Sequence, residues 1–77
     1  MKELIEQIAK KLVDNPEQVS VTEVEGENSA VLELRVAKSD LGKVIGKEGR
    51  IAKAMRVLLG AATSRGQKKY TLEIVED

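Results

Sequence analysis

At 77 residues the chain suits a single domain spanning positions 1–77, near the size at which one core leaves little spare stability. It has no cysteine and no histidine, which excludes disulfides, thiol nucleophiles and thiolate metal sites and removes the commonest general base. Thirteen basic residues balance thirteen acidic ones, yet Lys38 to Lys69 holds nine basic residues against only Asp40 and Glu48, a formal +7 mirrored by −7 elsewhere, so half of the chain can attract a polyanion.

The opening residues "MKELIEQIAKK" mix both signs of charge and do not read as a secretory signal. No apolar run approaches the roughly 20 residues needed to span a bilayer. A cytoplasmic location without membrane contact is expected. Residues 2–13 place Leu4, Ile5, Ile8 and Leu12 at helical spacing. "DNP" at Asp14 to Pro16 stops that helix, because proline cannot continue it. "VSVTEVE" alternates like a strand, "EGENS" is a polar turn, and "AVLELRV" is a second strand with Leu32, Leu34 and Val36 on one face.

Ser39 and Asp40 are N-cap candidates for a short helix from Leu41 to about Ile45. After a glycine-flanked turn, Ile51, Ala54, Met55, Leu58, Leu59 and Ala62 follow a helical repeat. Gly60 inside that helix costs about 1 kcal/mol relative to alanine, which suggests close packing there. Gly66 is the expected C′ residue. "YTLEIVE" closes the order as a strand with Tyr70, Leu72 and Ile74 facing inward. The order α-β-β-α-α-β, with a helical crossover before the last strand, predicts an α+β fold. Three strands must bury one face against the helices, giving a two-layer α/β sandwich over a three-stranded mixed sheet.

The turn itself, Gly46-Lys47-Glu48-Gly49, invites three phosphate-binding readings. A P-loop needs four residues between its glycines and a hydroxyl after the lysine; Gly42 and Gly46 are separated by three, and Glu48 stands where the hydroxyl should be. A dinucleotide fingerprint needs G-x-G-x-x-G and a larger parallel sheet; the spacing here is G-x-x-x-G-x-x-G. The third reading, a GXXG clamp, lays the backbone of a single nucleic-acid strand across two helices that meet at this turn. Glycine permits the tight dihedrals and a close approach to main-chain N–H groups. The following helix N-terminus favours anions, and Lys43, Lys47, Arg50 and Lys53 supply cations. Glu48 opposes them, by only about 0.7 kcal/mol at ~6 Å in water, and can pair with Arg50.

"LGKVIGKEGRIAKAMRVLL", Leu41 to Leu59, in that element order resembles a type II KH domain of the small stand-alone bacterial (KhpA-like) family. The resemblance covers essentially the whole chain. It implies single-stranded RNA in a groove about four nucleotides wide, walled by the GXXG turn and by a sheet edge with the loop at Arg65 to Lys69. It also implies an RNA chaperone or regulator that touches cell-envelope and cell-shape control, as a homodimer or paired with a larger KhpB/Jag-like protein. Expected RNA-binding residues are Lys43, Val44, Ile45, Gly46, Lys47, Glu48, Gly49, Arg50 and Lys53, with Val44, Ile45 and Ile51 as aliphatic candidates to hold bases; all three equally suit the core, which is the favoured place for Ile51.

Tyr70 is the only aromatic residue and reads as a core-edge residue, so the base-stacking platforms of RRM and OB modules are missing. Binding by one domain should be weak and loosely specific, with affinity gained by pairing modules. The alternative function is an interaction module that dimerises through the long helix, where Ala52, Val57, Ala61 and Ala62 widen the apolar stripe. An enzyme is not expected: Ser20, Ser29, Ser39 and Ser64 lack a histidine to activate them, and "EVEGE" reads as a solvated strand and turn. No cofactor is expected.

Overall fold

The computed structural model describes residues 1–63 and 68–76. Helix α1, Lys2–Leu12, ends as Val13 turns extended, and a single 3-10 turn, Pro16–Gln18, begins at the proline. Strands β1 (Ser20–Glu25) and β2 (Ser29–Arg35) form an antiparallel hairpin. Helices α2 (Leu41–Ile45) and α3 (Arg50–Ala62) carry the crossover, with a 3-10 turn at Lys47–Gly49 between them. Strand β3 (Lys69–Ile74) then joins β2 in parallel, so the order across the sheet is β1-β2-β3 and β3 is an edge. The expected α+β order and mixed sheet are both present.

Alternation in the strands puts Val21, Leu32, Leu34 and Leu72 under the helices, where they meet Ile5 and Ala9 of α1, Val44 of α2 and Met55 and Leu59 of α3. Each fully buried Leu or Ile contributes about 2 kcal/mol by leaving water. Tyr70, Ile51 and Ile74 are half-buried at the rim of this cluster, the place expected for Tyr70. Among the described residues no helix is long and apolar enough to cross a membrane.

The helices are rotated from the simplest reading of their apolar spacing. In α1 only Ile5 and Ala9 are buried, while Leu4 and Leu12 are exposed. In α3 the inward side is Ala52, Met55 and Leu59. Ala54, Leu58 and Ala62, on the expected stripe, face solvent instead, because one three-stranded sheet covers only a narrow strip of a 13-residue helix. Ala52, taken as part of a surplus apolar face, belongs to the core. Gly60 is not explained by close packing: no atom lies within 4 Å of where its Cβ would be. Gly66, the expected C′ residue, lies outside the described residues.

Candidate nucleic-acid interface

The turn between α2 and α3 is built on left-handed backbone. Gly46 ends α2 at φ 78°, ψ 171°, Glu48 sits at φ 57°, ψ 23°, and Gly49 begins α3 at φ 75°, ψ 15°. Gly46 occupies a region open in practice to glycine alone. A Cβ there would also stand 2.7 Å from Ile51 Cγ1 and 2.9 Å from the Ile51 nitrogen. Gly46 is therefore required by its dihedrals and by the packing of Ile51 beneath it, rather than by room for an approaching phosphate. At Gly49 a Cβ would meet nothing nearer than Lys53 Cε at 3.9 Å, so that position is open to a ligand and needs glycine for its dihedrals alone.

The amides divide in the same way. Gly46 N–H donates to the Gly42 carbonyl at 2.9 Å, and Gly49 N–H to the Gly46 carbonyl at 3.1 Å. Arg50 N–H donates to the Lys47 carbonyl. Of the four turn amides, those of Lys47 and Glu48 stay available, and both residues are exposed.

The expected site residues fall into three groups. Lys47, Glu48, Arg50 and Lys53 are exposed around the turn, with Gly46 and Gly49 half-buried within it. Arg50 Nη2 lies 3.6 Å from Glu48 Oε2, a solvent-exposed pair of small energetic weight. Among the described residues Lys47 and Lys53 form no ion pair. Lys43, by contrast, is engaged: its Nζ is 3.0 Å from Asp14 Oδ2 and 3.7 Å from Asp40 Oδ1, and the Asp14 carboxylate raises its ammonium above the ordinary value. Val44 is 0% exposed and has no surface to offer a base. Of the aliphatic candidates, Ile45 is half-buried in the cleft wall, and Ile51 packs on the core beneath Gly46.

That cleft, about 370 Å³, runs alongside the turn. Its helical wall is Ile45, Gly49, Ala52, Lys53 and Arg56; its far wall is β3 from Thr71 to Ile74, with Glu76. Arg56 and the strand wall were not among the expected site residues. Only the sheet edge was anticipated, because Arg56 reads in sequence as one more charge on a helix. The Arg65 to Lys69 loop was expected in that wall. Its positions 65–67 lie outside the described residues, and Lys68 instead pairs with Glu25 at 2.8 Å beside a separate depression formed with Met1 and Tyr70. Basic side chains thus line the helical side of the cleft, whereas Glu73 and Glu76 line the strand side. Among the described residues no group of three His, Cys, Asp or Glu side chains is placed to hold a metal ion.

Behind the turn, Asp40 precedes α2 as the N-cap by position but makes no side-chain cap bond to that helix. Its buried carboxylate instead accepts from the N–H of Asp14 at 3.2 Å and from the N–H and Nδ2 of Asn15, both at 3.0 Å. Burial alone would push this carboxyl up. The hydrogen bonds from Asn15 and Asp14, with Lys43 nearby, outweigh that and hold it below its ordinary value of 3.8. The carboxylate thereby fastens the start of α2, and the turn it carries, to the connection after α1.

The family model described as "KhpA/KhpB, KH domain" matches residues 2–74. The chain is 59% identical over 75 residues to the RNA-binding protein KhpA of Clostridium perfringens, covering 97% of this chain and 100% of that protein. It is 53% identical over 77 residues to the RNA-binding protein KhpA of Chlamydia trachomatis, covering 100% and 99%. It is likewise 53% identical over 76 residues to the RNA-binding protein KhpA of Aquifex aeolicus, covering 99% and 96%. No solved structure gives a significant match.

Proposed function

The chain belongs to the KhpA/KhpB family of KH domains, and from that premise we propose that it is a non-enzymatic binder of single-stranded RNA. The observation that carries this reading is the exposed Gly46–Gly49 turn, with the free amides of Lys47 and Glu48 beside an open cleft. The phosphates lie along the turn and the N-terminus of α3, where Lys47, Arg50 and Lys53 surround them. The bases point across the cleft toward β3, since Glu73 and Glu76 would repel a phosphate track on that side. Ile45 and the stems of Lys53 and Arg56 supply apolar contact in a cleft whose own lining holds no aromatic residue.

One cleft with few base contacts gives weak, loosely specific binding. That suits an RNA chaperone or post-transcriptional regulator which gains affinity by pairing, either with a second copy or with a larger KhpB/Jag-like KH protein. The test replaces Lys47 and Glu48 together by aspartate. Aspartate tolerates the left-handed backbone at position 48, so helix content measured by circular dichroism should stay unchanged. Binding to a single-stranded oligoribonucleotide should disappear, and wild-type binding should weaken steeply with salt. A variant that binds as tightly as wild type removes the clamp.

A second reading, self-association, is favoured by α3. Val57 is 70% exposed and Leu58 48% exposed, with Ala54 beside them on the outer side of the helix. Solitary exposed apolar residues are ordinary, but a contiguous strip on one helix suits contact with a second copy of this chain. Sedimentation of wild type against Val57→Glu decides this, with the dimer expected only in the wild type. The two readings are compatible, because this strip and the cleft lie on different sides of α3.

A further inference from the structure

Arg56 lies one helical turn beyond Lys53, on the cleft side of α3. It is not spread into solvent toward phosphate. Its Nε and Nη2 both donate to the carbonyl oxygen of Leu72, each at 3.3 Å. Which groups β3 turns outward follows from two bonds at its ends. Lys69 N–H donates to Asn28, and Val75 N–H to Leu34, so odd-numbered residues face β2. The N–H and C=O of Tyr70, Leu72 and Ile74 therefore face the open edge. Leu72 is the central one of the three and lines the cleft.

A bare strand residue offers an incoming base one donor and one acceptor. Adenine matches that pair, with N1 accepting and N6 donating. With the Leu72 oxygen held by a guanidinium, the same position offers the Leu72 N–H and the remaining guanidinium N–H groups, which are donors. We propose that Arg56 is a specificity-determining residue: by masking the Leu72 carbonyl it makes the cleft select bases presenting two acceptors, cytosine through O2 and N3 or guanine through O6 and N7, over adenine. The assignment rests on the RNA-clamp reading and names the base class for the same cleft.

The test measures binding of the oligoribonucleotides rC8 and rA8 by fluorescence anisotropy, for wild type, Arg56→Met and Arg56→Lys. Arg56 is a surface residue, so all three should give the same circular dichroism. Wild type should prefer rC8 by about fivefold or more. Arg56→Met should bind both oligomers less tightly as charge is lost, with the preference falling to about one or reversing as the carbonyl is exposed. Arg56→Lys, which keeps the charge without the forked contact, should lose the preference too. Equal loss for both oligomers in Arg56→Met overturns the proposal and leaves the clamp standing. So does a wild type without the preference, or an Arg56→Lys variant that keeps it. If wild type binds neither oligomer, or the Lys47→Asp, Glu48→Asp variant binds both as wild type does, the clamp reading itself falls and the Arg56 assignment falls with it.

Discussion

Asp40 Oδ2 accepts hydrogen bonds from both the main-chain N–H and the side-chain amide of Asn15, each at 3.0 Å, across 25 positions of sequence. With the carboxylate 1% exposed, nothing from solvent can replace those bonds. Asp40→Asn keeps the shape but turns an amide donor toward donors, leaving buried groups unpaired. The melting temperature should fall by roughly 5 °C or more. The pH dependence has a definite sign. Because the folded-state carboxyl lies below its ordinary 3.8, its stabilisation is full above that value and is lost as pH falls through the depressed one. Urea midpoints measured from pH 5 down to pH 2.5 should show this acid-dependent loss in wild type and less of it in Asp40→Asn.

The two glycines of the turn should respond differently to alanine. Gly46→Ala meets both a glycine-only backbone region and contacts of 2.7–3.0 Å with Ile51, and should destabilise by about 3 kcal/mol or more. Gly49→Ala meets open space and a left-handed φ only, and should lose about 1 kcal/mol. Chemical denaturation of the two variants checks the order. Equal losses would mean that neither the glycine-only backbone nor the contact with Ile51 sets Gly46 apart.

Glu48 is the one non-glycine residue with positive φ among the described residues. Glu48→Gly relieves that strain and removes a charge of the wrong sign beside the free amides, while giving up only an exposed pair with Arg50. Stability should rise by up to about 1 kcal/mol, and RNA affinity by about threefold at low salt. Parallel denaturation and anisotropy titrations separate the two effects.

Gly60 has empty space where a Cβ would sit within the third turn of α3. Gly60→Ala should therefore stabilise the isolated chain by about 1 kcal/mol through helix propensity, measured as a rise in the urea midpoint. A loss would mean that helix propensity is not what decides at that point.

What could be read in the sequence was what local pattern controls. Alternation and helical spacing set the elements, and the glycine spacing located the turn. Four things needed the folded chain. Asp40 carries the residue type of an N-cap, yet its side chain answers to Asn15, a partner no local pattern can name. Val44 and Ile45 are equally apolar neighbours, and only the angle of α2 sends one into the core and the other into the cleft. The apolar residues of α3 exceed what one sheet can cover, so spacing alone did not tell Ala52, which is buried, from Leu58, which is not. Arg56 reads in sequence only as one of the nine basic residues, because its partner is a main-chain oxygen on a strand 16 positions away.

The outer edge of β3 is useful to a ligand for the reason that makes it hazardous. A strand with unpaired main-chain groups will add another strand as readily as a base, which is how sheets of separate molecules fuse into aggregates. Here Lys69 and Glu73 flank the edge with opposite charges, and a guanidinium stoppers the Leu72 oxygen at its middle. Arg56 thus occupies the acceptor that a further strand would need, at the very place where the fold is left open.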